Sequence, residues 1–401
     1  MSKTTKIIYF IESPFNQRDY KRFGVETFIQ DGFEVYVWDF TPFLRPQVDS
    51  SVIPPDPIEY KNFMRFNSKR DAITAISKEW GDCFVVSLIP YHIGTFSIFR
   101  QISKNKIPYS VFISNSIPNP YSNKSRKNLF KKIRRLTPKK LINHFFIKIP
   151  PFLFGVSPAT FALAGGAKSS IKMSLVNRKT EVIWIHTLDY DIYLDDKESV
   201  QGETKMAVFL DEYFPFHPDY IHMGTTPSVT PDEYYPLLCK LFNYMEEKLG
   251  LNVVIAAHPR SHYEKLPDFL HGRKVIRGKT VELVKDSKLV ILHCSTAINF
   301  PVLYKKPMIF VTMDRLEKTV YGGYISKFAS YFRKTPINIS RNAGIDLERE
   351  LFVYEEGYAK YKHDFIKIEG TEETPFWQVV VNKIKSLHSG SLSNSVNLRN
   401  G

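Results

Sequence analysis

The run VVIAAHPRSHYEKL, residues 253–266, passes from small and β-branched residues straight into His258-Pro259-Arg260. Val253 to Ala257 suit a strand buried on both faces of a parallel sheet, whereas the next three residues are a titratable ring, a helix-incompatible proline and a permanent cation. Ligands of open α/β sheets bind outside the carboxyl ends of the strands, so chemistry is expected where this strand stops. An imidazole beside a guanidinium suits a phosphate or a carboxylate.

A second run, HCSTAINFPVLYKKP at 293–307, follows the apolar residues Leu289–Leu292. Ser295 and Thr296 stand where a helix can start, and helix starts attract anions through their unpaired N–H groups and the positive end of the dipole. The pattern predicts a phosphate site made of two hydroxyls and backbone amides. A plainer reading has Ser295 only capping the helix. His293 is a site candidate or a hydrogen-bonded core ring, and His186 and His217 admit the same two roles.

The elements that must position these residues are legible as alternating strands and helices. KIIYFIE, EVYVWDF, DCFVVSLIP, YSVFISNS, ATFALAGGA and EVIWIHTLDYD read as strands of one parallel, doubly wound sheet. RDYKRFGVETFIQDGF reads as a loop entering a helix closed by Gly32, and residues 42–58 as a Pro-rich loop. After the charged stretch 195–205 the β-α-β order resumes with MAVFLDEYF, a long helix ending at Gly250, NVVIAAHPR and KLVILHCS. The expected organisation is a first domain at 1–195, a second at 205–325, a helical segment at 326–387 packing across both, and a disordered tail at 388–401.

The net charge of +14 is concentrated in one place. Between Cys83 and Thr180 there is no Asp or Glu, against 17 Lys and Arg. The densest part, residues 124–148, interleaves Lys124, Arg126, Lys127, Lys131, Lys132, Arg134, Arg135, Lys139 and Lys140 with Leu129, Phe130, Ile133, Leu136, Ile142 and Phe145. Such a segment suits a helix on an anionic membrane or a lipid-linked acceptor, or simply a solvated helix. Nucleic acid is not the expected partner, because no nucleic-acid motif accompanies the charge. The three cysteines show no CxxC spacing, which predicts neither disulfides nor a zinc site. No run is long and apolar enough to span a bilayer, and the first residues lack a secretory h-region, so a cytoplasmic protein peripheral to the inner membrane face is expected.

The HP pair, the later Ser-Thr pair and the KKPMIF strand together resemble the donor domain of GT-B glycosyltransferases that use CMP-activated acidic sugars: bacterial sialyltransferases and the Kdo and capsule enzymes. CDP-glycerol glycerophosphotransferases share a similar arrangement. The resemblance covers mainly residues 205–315 and implies two Rossmann-like domains facing each other across a cleft. By position it places His258, with Pro259 and Arg260, against the nucleotide phosphate to assist departure of the leaving group, and Ser295 and Thr296 on the same phosphate. The acidic motif that supplies the base in those enzymes is matched best by Asp211-Glu212-Tyr213, with tyrosine where the family has glycine.

An acceptor hydroxyl must lose its proton as it attacks, so a carboxylate must reach it. The acid-free block removes residues 83–180, leaving Asp211 and Asp19 as leading candidates and Glu26 next. Glu12, Asp189 and Asp191 also lie at strand ends. The expected function is an inverting glycosyltransferase moving a sialic-acid-like or Kdo-like sugar from CMP to a surface glycan or lipopolysaccharide, without a metal cofactor. The alternatives are a CDP-glycerol-type phosphotransferase, a UDP-sugar epimerase, or a non-enzymatic glycan- or nucleic-acid-binding module.

Overall fold

A computed structural model describes residues 4–51, 56–121, 138–169, 173–198, 202, 205–220, 224–341 and 344–389. It contains two wholly parallel sheets. The first has strands β1 (Lys6–Ile11), β2 (Glu34–Asp39), β3 (Phe63–Arg65), β4 (Cys83–Ser87), β5 (Tyr109–Phe112), β6 (Phe161–Ala164) and β7 (Glu181–Trp184), ordered β3-β2-β1-β4-β5-β6-β7. The second has β8 (Met206–Leu210), β9 (Asn252–Ala257), β10 (Val275–Arg277), β11 (Leu289–Leu292), β12 (Met308–Thr312) and β13 (Ile337–Asn338), ordered β10-β9-β8-β11-β12-β13.

In both sheets the order reverses beside the first strand, between β1 and β4 and between β8 and β11. Loops leaving neighbouring strands diverge at such a switch point and open a crevice at the carboxyl edge. The continuous apolar runs follow from helices covering both faces: every residue of β4 and β12 is buried. Each sheet accordingly has a core on either side.

The chain enters the second domain through helix Leu188–Asp196 and returns at the end. Phe376, Trp377, Val380, Val381 and Ile384 of the final helix Phe376–Ser389 lie in a core of the first sheet, whereas Tyr358, Tyr361, Phe365 and Ile366 lie in a core of the second. Gly166 marks the seam, since a Cβ there would stand 2.3 Å from the Phe365 nitrogen. The helix runs beyond the expected boundary at 387, and residues 390–401 lie outside the described residues.

Two local expectations are corrected. The Pro-rich stretch contains helices Thr41–Leu44 and Pro46–Ser51, because a proline at a helix start gives up only an N–H that has no partner there anyway. The helix expected before Gly32 is two short helices, Gln17–Arg22 and Val25–Gln30, broken at Gly24 with φ 62°. Trp377 seals that break: its indole N–H donates to the Arg22 carbonyl at 2.8 Å, and a Cβ on Gly24 would sit 2.2 Å from its ring. Edge strands β3, β10 and β13 are too short to carry a readable period.

Gly24→Ala is expected to lose about 2–4 kcal/mol of stability, from the left-handed backbone and the clash together. Urea denaturation of the variant beside the parent protein checks it.

Candidate active site

The site is assembled from four strand-end loops. On the first domain, the loop after β1 leads into helix Gln17–Arg22, whose start is fixed by Asn16: its side chain accepts the Asp19 N–H at 2.9 Å. This short helix carries Arg18, Asp19 and Arg22. On the second domain, the loop after β8 carries Asp211, Glu212, His217 and Asp219, the loop after β9 carries His258 and Arg260, and the loop after β11 carries Cys294, Ser295 and Thr296.

Asp211 is a buried tie between loops. One carboxylate oxygen accepts the Tyr213 N–H at 2.8 Å; the other accepts the Tyr263 hydroxyl at 3.0 Å and the His258 N–H at 3.4 Å. Burial pushes its pKa up to about 6 despite these hydrogen bonds. Both oxygens are engaged inside the protein, so Asp211 ties the loop that carries His258 to the end of β8. Tyr213 has φ 54°, a left-handed backbone that favours glycine, and the Asp211 hydrogen bond helps hold it there.

Glu212 ties the same loop to β11. Its Oε1 accepts the Cys294 N–H at 2.6 Å, and its Oε2 is buried without a hydrogen-bond partner among the described residues. Part of its stem reaches the surface, but the carboxyl group itself is sealed, and burial pushes its pKa up to about 8. Glu212 is therefore protonated at neutral pH.

His258 is neutral as well. Burial lowers its pKa to about 3, with the positive surroundings of His217, Arg260 and Arg18 adding to the effect. Its Nδ1 accepts the Arg260 N–H at 3.2 Å, which puts the proton of the neutral ring on Nε2. No group among the described residues takes up Nε2. The ring of His217 packs edge-on at 4.6 Å, and Arg260 pairs with Asp219 at 2.8 Å.

The two domains meet electrostatically here. Arg18 is solvent-accessible in the open cleft yet flanked by protein on most sides; its pKa is lowered by burial first and then by Arg22 and Arg260. It makes no hydrogen bond or ion pair among the described residues. Asp19 is pushed up by burial, against the pull of Arg18, Arg22 and Arg260. Arg22 approaches Asp189 at 3.6 Å, and the second oxygen of Asp189 accepts the Asn299 amide N–H of the other domain at 2.9 Å. An open cavity of about 430 Å³ adjoins the His258 loop, lined by residues that include Ala257, Ser261, Tyr263, Phe269 and Arg277.

The other candidates fare differently. Ser295 caps the short turn Thr296–Ile298 by accepting the Ala297 N–H at 3.3 Å; Thr296 is exposed beside it. The anion site expected there is narrowed, because the Cys294 amide is already taken by Glu212. His293 is removed from the site: it is a fully buried ring between the Tyr234 hydroxyl at 3.0 Å and the Val311 carbonyl at 2.7 Å, and burial lowers its pKa to about 4. Glu26 is exposed on its helix with Gln30 as its partner and is not brought to the cluster. Glu12 is held by Arg45 at 2.8 Å, and His186 by the Thr187 and Thr374 carbonyls. Arg18 and Arg22 flank Asp19 in the sequence, where they could bind an acidic acceptor or a donor carboxylate, and Asp219 carries no sequence signal; their convergence with Arg260 depends on the domain pairing.

No family model matches the chain, and no curated protein matches it. Solved structures do. The wall teichoic acid polymerase TagF, as a histidine-to-asparagine variant soaked with CDPG, superposes with a TM-score of 0.54 at 12% identity, covering 96% of this chain and 90% of that one. A Listeria monocytogenes protein, provisionally described as a UDP-N-acetylglucosamine 2-epimerase, superposes with a TM-score of 0.52 at 9% identity, covering 98% and 99%. The fold is GT-B. At these identities the likeness establishes two Rossmann-like domains across a cleft, and the cluster at the carboxyl edges of both sheets lies where such a fold binds ligands.

Glu212 yields a pH test. Its folded pKa of about 8 lies above the unfolded value of 4.5, so the folded state holds the extra proton. Stability from this group is full below about pH 4.5 and declines as pH rises toward 8. Glu212→Gln, which keeps the acceptor for Cys294, is expected to melt close to the parent at pH 5 and several degrees higher at pH 8.5 in a thermal scan. A variant less stable at both pH values would show that the carboxyl group is needed as such.

Proposed function

We propose that the protein is an inverting glycosyltransferase that takes an acidic, sialic-acid-like or Kdo-like sugar from a CMP donor. The observation that supports this reading best is the pairing of two cationic elements across the cleft: Arg260 with the neutral His258 on the second domain, and Arg18 with Arg22 on the first. A CMP-linked acidic sugar carries two anionic groups, a phosphate and a carboxylate. In this reading the phosphate lies against Arg260 and the Nε2–H of His258, with Ser295 and Thr296 beside it, and the carboxylate lies against Arg18 and Arg22. The nucleoside takes the adjoining 430 Å³ cavity.

The chemistry then uses the chain's own groups. The acceptor oxygen attacks the anomeric carbon as the bond to the phosphate oxygen breaks, and the electron pair leaves with CMP. One displacement inverts the centre. The acceptor proton passes to Asp19, the cluster carboxylate that takes no hydrogen bond through its side chain among the described residues. The departing phosphate gains charge, which the arginines and the His258 N–H neutralise without a metal being invoked. A neutral histidine suits this task, since it donates a hydrogen bond over the whole physiological pH range.

The acceptor is a surface glycan or lipid-linked glycan at the inner membrane face, for which the charge of the basic segment 124–148 is the sequence support; residues 124–137 of it lie outside the described residues. No helix among the described residues is long and apolar enough to cross a membrane. A second reading, transfer of glycerol phosphate from CDP-glycerol, draws on the superposition with TagF. It would use the same phosphate groups and leave Arg18 and Arg22 for the second phosphate.

Calorimetric titration with CMP, CDP, UDP and GDP separates the readings. Selective CMP binding, weakened about tenfold or more in His258→Ala, is expected. Asp19→Asn is expected to keep or tighten that binding while turnover with a CMP-sugar falls by about 10²–10⁴. Because glycerol phosphate transfer from CDP-glycerol also releases CMP, turnover decides between those two readings, CDP-glycerol consumption transferring the support to the glycerophosphate one; preference for UDP would transfer it to an epimerase or UDP-sugar transferase, and no nucleotide binding would overturn the site.

A further inference from the structure

The first domain presents an apolar face that its own packing leaves open. Helix Pro138–Phe146 sends Phe146 inward, where it stacks on Phe154 at 5.0 Å and meets Tyr91 and Phe96. The element is clamped from both sides: Asn143 accepts the Ile93 N–H at 3.1 Å, and the Ser174 hydroxyl donates to the Ile147 carbonyl at 2.8 Å. The neighbouring side chains point out of this anchored frame. Ile142 is 55% exposed, Phe145 58%, Phe152 70% and Leu153 63%, and Ile93 is exposed beside them.

Single exposed apolar residues are ordinary, but these lie on the helix Pro138–Phe146, the short turn Pro151–Phe154 and the loop of Ile93, which pack together through Phe146, Phe154 and Asn143, and the sequence that carries them has charge of one sign. The Lys148 ammonium lies 5.8 Å from the Phe145 ring, and the sequence from Cys83 to Thr180 contains no carboxylate side chain. Large apolar side chains in a cationic field match the boundary between anionic headgroups and acyl chains. The face also has a useful location. Ile93 belongs to the loop after β4, at the same carboxyl edge that carries Arg18 and Arg22, so a surface touching this face lies beside the mouth of the cleft.

We propose that Ile93, Ile142, Phe145, Phe152 and Leu153 dock the protein onto an anionic lipid bilayer, with their side chains entering the headgroup–acyl boundary. This deepens the membrane-face acceptor reading and rests on it for the acceptor's identity, whereas docking itself is tested without any donor or acceptor. The residues are exposed and make no core contact, so their replacement leaves the fold intact.

The full chain is sedimented with phosphatidylcholine vesicles and with vesicles containing about one-third phosphatidylglycerol. The parent protein is expected to partition to the phosphatidylglycerol vesicles and to be released by added salt. The Phe152→Ser, Leu153→Ser double variant is expected to lose about tenfold or more in partitioning, and Phe145→Ser to lose a smaller part, with CMP titration unchanged. Three results would overturn docking: no binding by the parent, equal binding to uncharged vesicles, or unchanged binding by the double variant. The last would mean that another part of the chain covers the face. Light scattering that shows a parent dimer turned monomeric by the double variant would assign the face to a second copy and also overturn it. Vesicle binding without nucleotide binding would sink the catalytic reading and leave docking standing.

Discussion

Two consecutive carboxyl groups at the end of β8 hold the candidate site in shape. Successive residues of an extended chain project to opposite sides, so Asp211 reaches the β9 loop through His258 and Tyr263 while Glu212 reaches the β11 loop through Cys294. Burial raises both pKa values, and the hydrogen bonds to backbone N–H groups limit the cost. Both acids are tied into the fold: Asp211 accepts hydrogen bonds on both oxygens, and Glu212 accepts the Cys294 N–H. Their contribution is to fix the loops that carry His258, Arg260 and Ser295 relative to one another.

Electrostatics gives the cleft its character. Burial, Arg22 and Arg260 raise the cost of the Arg18 charge, Asp19 and Asp189 offset it, and Asp219 pairs with Arg260. An anionic ligand would take over part of that role, so binding trades internal ion pairs for ligand contacts. Asp189 links this exchange to domain geometry, because it faces Arg22 on one side and Asn299 of the second domain on the other. The returning C-terminal helix contributes at a distance: Trp377 fixes the break at Gly24 and thereby the helix that presents Arg18 and Asp19.

The histidines show how far sequence context can be trusted. His258 and His293 both end an apolar strand of the second domain and look alike in the sequence. His258 bonds within its own loop and leaves Nε2 without a partner among the described residues, whereas His293 spends both nitrogens on Tyr234 and Val311, partners 59 and 18 residues away. Nothing local distinguishes the two rings. The same holds for the carboxylates: Asp211 differs from Asp19 by hydrogen bonds from Tyr213 and Tyr263, the second of which only the folded chain brings to it.

The sequence by itself determined the two parallel sheets and the loops where chemistry would gather, because buried parallel strands demand continuous apolar runs and their polar ends stand out against them. It also determined the concentration of positive charge, which is a property of composition. It could not resolve the shortest edge strands or the helical break at Gly24, whose cause lies at Trp377, far along the chain. Only the tertiary structure decided which strand-end residues meet, since Arg18 and Arg260 are neighbours through domain pairing rather than through sequence. It also decided which titratable groups are consumed by the fold. Both decisions depend on burial and on long-range hydrogen bonds, which no local pattern of residues encodes.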